Sequence, residues 1–480
     1  MNKHTSLLCS FLASSVFLTQ PSGHTLANTP VTITVKQGAR QALQGLGSSQ
    51  TINGGLRYSK LAQSEKNMLQ KLVCTDIKFK IVRLWFDPSQ YAPKPGVEDT
   101  SKFVKPFVNS RFISDALANG CNTLLLAPRK IPAYMGSSNG RGYIRDSQIR
   151  NYAALLADFI YKVKQENGVE IHATGILNEP NDRPIRFSDA QWPIIIKDLR
   201  KELDNRGLKD VKIIAPELAN ADAVADRVIK AIKQDPEAWK VLDGISTHSY
   251  NMAARSSISN LIEGTDKEYW MTEAGTNGPE EPGDALNAAA AASRFLNDMN
   301  HRVSHWIWFI SHATADPNDN ATRLIRYSFN PFRYDIFQKY YYFLQLSKTF
   351  DLGAVFRKSV SSLDGNMTWT YGKKPRITVA SAKNPDGSWG IAVSNFTDNR
   401  FEVTLPNGYK VSNPQGGRAA ENFAVTVFVE ELAQAGDKTM KMYRSNSNVN
   451  NVYVGNAVMR RGKVTVPNVR SLDLITLRSQ

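Results

Sequence analysis

Between Leu43 and Leu346 short apolar runs alternate with longer stretches whose apolar residues recur three and four positions apart. The short runs are Leu43–Gly47, Lys80–Trp85, Asn122–Ala127, Ala173–Asn178, Val211–Pro216, Leu242–Thr247, Glu268–Glu273 and Ser304–Phe309. Runs of this length bounded by polar residues predict strands buried on both faces. The intervening segments include Tyr58–Val73, Phe107–Asn119, Ile149–Gln165, Asp189–Asn205, Ala221–Lys233 and Asp284–Asn300, and their period predicts amphipathic helices. Strands that alternate with helices form a parallel sheet, and eight such units close into a (β/α)8 TIM barrel. The predicted fold class is therefore α/β.

After Leu346 the pattern changes. Val355–Arg357, Met367–Tyr371, Ile377–Ala382, Trp389–Ser394, Phe401–Leu405, Ala424–Val429 and Val464–Val466 are short β-prone runs separated by Gly, Asn, Pro and Asp. Long helical periodicity is nearly lost, which predicts an attached antiparallel β-sandwich. Val31–Val35 is also strand-like and precedes the barrel, so it is expected to cross over and join that sandwich. The reading divides the chain into residues 1–27, an N-terminal strand within 28–42, a barrel over 43–350 and a sandwich over 351–480. No low-complexity linker separates the last two.

The first 27 residues carry Lys3, an apolar stretch from Leu7 to Leu18 and a small-residue exit at Ala27. This order predicts a secretory signal peptide and an exported protein, extracellular or periplasmic. No apolar run in the body is long enough to span a bilayer, so stable membrane insertion is not expected. Outside that segment the cysteines are Cys74 and Cys121, and both a disulfide and two buried free thiols remain open. Neither forms a Cys-x-x-Cys pair, so no cysteine-based zinc or redox site is expected. Asn320, Asn366 and Asn395 begin Asn-x-Thr sequons. The formal net charge is +15, but Lys and Arg are scattered and form no nucleic-acid motif. A positively charged soluble surface and a monomer are expected.

Two strand tips carry the chemistry. "GILNEPN" ends on Asn178, Glu179 and Pro180, and "EYWMTEAGTNG" ends its apolar run on Glu273. In a barrel of this kind the C-terminal strand ends form one mouth. Glu179, on the fourth strand, and Glu273, on the seventh, would share it. Two facing carboxyls, one protonated and one ionised, are what cleavage of a glycosidic bond requires. A lone Glu at a strand end is equally well read as a helix-start residue satisfying backbone N–H groups. The second Glu at the matching strand weighs against that reading.

"LNEPN" with "WMTEAG" resembles the clan A barrel glycoside hydrolases, whose catalytic glutamates stand on strands four and seven. "LAPRKIPAYM", "DGISTHSY", "KYYYFLQLSKTFDLGAVF" and "WGIAVSNFT" are similar to segments of glycoside hydrolase family 30. The resemblance implies a retaining glycosidase with Glu179 as acid/base and Glu273 as nucleophile. It implies that Asn178 holds a sugar hydroxyl, Arg83 pairs with Glu273, Tyr250 orients Glu273 and His248 lines the pocket. Trp308 rather than Trp306 would form the floor under the sugar, with Trp85 open between packing and ligand contact. Arg83 as a structural ion pair and His248 as a core histidine are the bland alternatives. Arg129 and Lys130 stand where the family has Trp and Ser, and Ala274 follows Glu273 where an aromatic is frequent. Glu217, after the fifth strand, is either structural or in contact with substrate.

The implied partner is a β-linked polysaccharide or oligosaccharide of the glucan, galactan or xylan class. Arg129, Lys130 and the basic balance favour one carrying acidic groups. No Gly-rich phosphate loop, metal cluster or Ser-His-Asp spacing is present in the sequence, so no cofactor is expected. The competing readings are a carbohydrate-binding protein on a non-catalytic glycosidase scaffold and a basic surface-binding protein acting through the sandwich.

Overall fold

The computed structural model describes residues 28–138, 140–250, 252–363, 375–400, 402–404, 410–412 and 419–480. The expected signal peptide, the run Met367–Tyr371 and the sequon at Asn366 lie outside them.

Eight parallel strands close a barrel. In chain order they are Gly45–Gln50, Ile81–Phe86, Thr123–Pro128, Ala173–Thr174, Lys212–Leu218, Gly244–His248, Glu268–Ala274 and His305–Trp308. The last pairs with the first, His305 opposite Gly45 and Trp308 opposite Ser48. Side chains alternate across each strand. Ile81, Leu125, Ala173, Ile214, Trp270 and Ile307 meet as one buried cluster that fills the barrel. Their neighbours Val82, Leu124, Leu126 and Ile213 belong to a second, larger cluster shared with the helices. A strand buried on both sides reads as a continuous apolar run, which explains why eight such runs stand out in the sequence.

The helices follow the same logic. Asp146–Asn167 buries Ile149, Tyr152, Leu156, Ile160 and Val163, one stripe at spacings of three and four. It stops at Gly168, whose φ of 66° is a left-handed cap that glycine adopts without steric cost. Leu286–Met299 departs from this pattern, because Ala288 through Ala292 are all buried. It is packed on one side by the barrel and on the other by the sandwich, where Ser293 Oγ lies 2.9 Å from Ser394 Oγ. Alanines permit that double approach.

The sandwich has two sheets around their own apolar core. Four strands, Ser359–Ser361, Thr29–Val35, Phe423–Val429 and Lys463–Val469, form one. Thr29–Val35 lies parallel to Phe423–Val429, so a strand that precedes the barrel in sequence belongs to the sandwich. The other sheet runs Val355–Arg357, Ile377–Lys383, Trp389–Asn395, Leu474–Ser479, Lys438–Ser445, Val452–Met459. Its last three strands escaped the sequence reading. Gln345 Nε2, on the helix Gln338–Thr349, donates to Leu474 O at 3.2 Å and Tyr443 O at 3.0 Å, tying barrel to sandwich.

Cys74 and Cys121 form a disulfide, closing the alternative left open above. They precede the second and third barrel strands, at the end opposite the mouth. Two small sheets decorate the mouth itself. One joins Gly136–Ser138, Arg141–Ile144 and Ile185–Arg186; the other joins His312–Thr314, Ile325–Ser328 and Arg333–Ile336.

Candidate active site

Arg83 lies at the centre of the site. It points inward from the second strand, two residues after Ile81, and is fully buried. Nη1 binds Glu273 Oε1; Nη2 donates to Asn178 Oδ1 at 2.7 Å and to Glu217 Oε1 at 3.1 Å. Burial opposes its charge, but Glu273 and Glu217 outweigh that and raise its pKa. One guanidinium therefore gathers groups from the fourth, fifth and seventh strands, using the planar fork that lysine lacks.

Glu273 is almost fully buried. Its other oxygen, Oε2, accepts from the Tyr250 hydroxyl at 2.6 Å. Burial and then the charge of Glu273 push the Tyr250 phenol well above its ordinary pKa, so it remains a donor. Glu179 approaches from the fourth strand. Its Oε1 lies 3.2 Å from His248 Nδ1, and its Oε2 accepts from Arg183 Nη2 at 3.0 Å. An oxygen of each glutamate and a ring nitrogen of His248 all lie within 4.8 Å of one another. Burial disfavours the Glu179 carboxylate, but His248, Arg183 and Arg83 together prevail and hold its pKa down to about 2. Three such ligand types could also meet around a metal ion; here Arg83 and Arg183 already supply the countercharge.

The backbone that presents Glu179 is unusual. The fourth strand was expected to run to Asn178, but its ladder ends at Thr174. Beyond it Asn178 N–H donates to Pro128 O at 2.7 Å and Glu179 N–H to Glu217 O at 3.0 Å. Glu179 has φ 49° and Glu217 φ 55°, left-handed conformations that cost a non-glycine residue on the order of 1–2 kcal/mol each. Glu179 starts a short 3-10 turn, Pro180–Asp182, without capping it through its side chain, so the helix-start reading does not describe it.

Of the residues singled out from the sequence, Glu179, Glu273, Arg83, Asn178, His248 and Tyr250 converge on one point. Trp85 and Arg129 stand beside it, the Arg129 guanidinium carbon 4.1 Å above the Trp85 ring. Trp308 does not take the place expected. It is fully buried, donates from Nε1 to Thr322 O at 2.9 Å and packs on Phe343 and Trp306 among the helices. Alternation explains the correction: Ile307 faces the barrel interior, so Trp306 and Trp308 face outward. The next residue, Phe309, reaches the mouth instead. Its ring stacks on Trp85 at 5.5 Å and meets Tyr250 at 6.5 Å.

Arg183 carries a role the sequence reading did not assign, and Glu217 takes the structural one of its two alternatives. Arg183 holds Glu179 and also donates from Nε to Asn178 O at 2.7 Å. Its signal was the i,i+4 spacing from Glu179. Glu217 proves to be a buried partner of Arg83, wedged against the backbone of Gly175.

The model for glycosyl hydrolase family 59 matches residues 119–324, less than half of the chain. That stretch contains Arg129, Asn178, Glu179, Arg183, Glu217, His248, Tyr250, Glu273 and Phe309; Arg83 and Trp85 lie before it. Galactocerebrosidase of Mus musculus is 31% identical over 125 residues, 26% of this chain and 16% of the mouse protein. The chain thus aligns with only a small part of that curated relative. Among solved structures, the catalytic domain of GH30 xylanase C from Talaromyces cellulolyticus superposes with a TM-score of 0.67 at 17% identity, covering 94% of this chain and all of that one. The GH30 subfamily 8 xylanase Xyn30A from Clostridium acetobutylicum gives 0.66 at 18% identity, over 94% of this chain and 99% of that one. The likeness to solved structures is one of fold, barrel and sandwich together. With the family 59 match it supports a place among the clan A glycoside hydrolases. The motifs alone pointed to family 30, while the matching family model is that of family 59.

Proposed function

We propose that this protein is an exported, retaining glycoside hydrolase that cleaves β-linked glycan by double displacement. The carrying observation is the approach of Glu179 and Glu273 oxygens within 4.8 Å. An approach that near is in keeping with the roughly 5–5.5 Å between the carboxyl groups of a retaining pair.

The roles follow from the partners. Glu273 is bound by Arg83 and Tyr250, which aim it as the nucleophile. Asn178 accepts from Arg83 through its amide oxygen, and its NH2, 3.5 Å from Glu179 Oε2, has a second N–H to hold a sugar hydroxyl beside the reacting carbon. Glu179 protonates the leaving oxygen and afterwards activates water. Burial raises its pKa, while the hydrogen bonds to His248 and Arg183 hold it low. A leaving oxygen that takes up one of those hydrogen bonds would let burial raise it toward the acid form. No cofactor is required.

The family 59 match and the galactocerebrosidase relative make a β-galactoside the first substrate to test, ahead of xylan and β-glucan. Export is supported by the apolar N-terminal segment and agrees with the Cys74–Cys121 disulfide. The test is hydrolysis of a panel of β-galactosides, xylans and β-glucans by the full chain, with Glu179→Gln and Glu273→Gln in parallel. Turnover that collapses in both variants is expected. Full activity in either variant would overturn the assignment, and tight glycan binding without turnover would favour a non-catalytic binding protein.

A further inference from the structure

The mouth contains a cation that has no ion-pair partner among the described residues. Arg129, at the end of the third strand, makes no side-chain hydrogen bond or ion pair among the described residues. Its Nε is buried without a partner, while its two terminal nitrogens are not enclosed. The guanidinium is nevertheless held in place. It stacks on Trp85, which stacks on Phe309, so three flat groups lie in layers beside the catalytic pair. Burial first and the like charge of Arg183 second lower the Arg129 pKa, and the fields of Asp87, Glu273 and Glu179 only partly offset them. Lys130, the next residue, is exposed.

A half-buried, immobilised and unpaired guanidinium near a second one is an unfavourable arrangement in the empty protein. An anion entering the mouth would relieve it. A surface arginine kept for solubility would be free to swing into water, whereas this one is fixed by aromatic stacking. We propose that Arg129, with Arg183 and Lys130 close by, forms a subsite for an anionic substituent, a carboxylate or a sulfate ester, on the sugar bound between Glu179 and Glu273. This rests on the glycosidase reading above and adds the substrate's charge to it. Both anions present paired oxygens to a guanidinium fork, so the test carries an arm for each.

The experiment separates binding from turnover. In a Glu273→Gln background, calorimetry measures binding of methyl β-galactoside, its sulfate esters and methyl β-galacturonide. At least one anionic ligand is expected to bind roughly tenfold or more tightly than the neutral one, as one charge-assisted contact provides. Adding Arg129→Gln should remove that preference, and Arg129→Lys should restore only part of it. Equal binding of neutral and anionic ligands, or a preference that survives Arg129→Gln, would overturn the subsite. Hydrolysis by the otherwise unmodified chain is scored separately. Cleavage of neutral glycosides without anionic preference sinks the subsite and leaves the glycosidase reading standing. Anionic preference in binding without cleavage of any glycoside does the reverse.

Discussion

Substituting Gly175 with alanine should damage the site without replacing a charged group. Gly175 follows the fourth strand's short ladder, four residues before Glu179. Its φ is not positive, so its backbone accepts alanine. The obstacle is space. A Cβ built on Gly175 would lie 1.8 Å from Glu217 Oε2 and 2.6 Å from its Cδ. Ordinary contact begins near 3.4 Å, so the carboxylate must retreat by about 1.6 Å. It is not free to do so, because Oε1 is bound to Arg83 at 3.1 Å and the Glu217 carbonyl receives the Glu179 N–H at 3.0 Å. Overpacking costs about 1–3 kcal/mol, and loosening one arm of a buried ion pair adds to it. We expect Gly175→Ala to lose about 2–4 kcal/mol of stability in urea unfolding. A fall in kcat/KM should accompany it, as Arg83 and Glu179 shift. Glu217→Ala removes the obstructing carboxylate. In that background Gly175→Ala should cost less than about 1 kcal/mol, a coupling a double-mutant cycle reads directly. A neutral Gly175→Ala in the presence of Glu217, or an equal cost in both backgrounds, would refute the reasoning.

Three further outcomes follow. Replacing Cys74 and Cys121 by alanine opens a loop of 47 residues, for which chain entropy gives about 4 kcal/mol at most; urea midpoints measure it, and no shift would contradict the link. His248→Gln removes the neighbour that does most to hold the Glu179 pKa down against burial. Because the native Glu179 pKa lies below its unfolded value, its stabilising contribution is complete above about pH 4.3 and lost as pH falls toward 2. His248→Gln should therefore weaken the acid dependence of unfolding in that window. Tyr250→Phe deletes the 2.6 Å hydrogen bond to Glu273 and should lower kcat roughly ten- to a hundredfold with little change in urea midpoint.

The barrel was legible because each of its strands is buried on both faces and so forms a conspicuous run, Thr123–Pro128 being the plainest. The catalytic constellation was legible in part because its residues stand at the ends of those runs. What stayed hidden depended on parity and on distance. In the run His305–Trp308 the inward positions are His305 and Ile307, and an isoleucine between two tryptophans does not mark itself as the inward one, so Trp308 was assigned to the mouth when Phe309 belongs there. Glu217 and Gly175 touch across two strands, 42 positions apart, through a bent backbone that periodicity does not record. The small sheets at the mouth and the edge strand Val452–Met459 are short or exposed on both faces, so they lack the apolar alternation that reveals a strand.

The account stands or falls on Glu273 attacking the sugar while Glu179 handles the proton. Proton NMR of the first product released from a cleaved glycoside, recorded before mutarotation, tests this most directly. The account predicts that the new reducing end keeps the anomeric configuration of the substrate. First appearance of the opposite anomer would mean that water attacks directly and would contradict it.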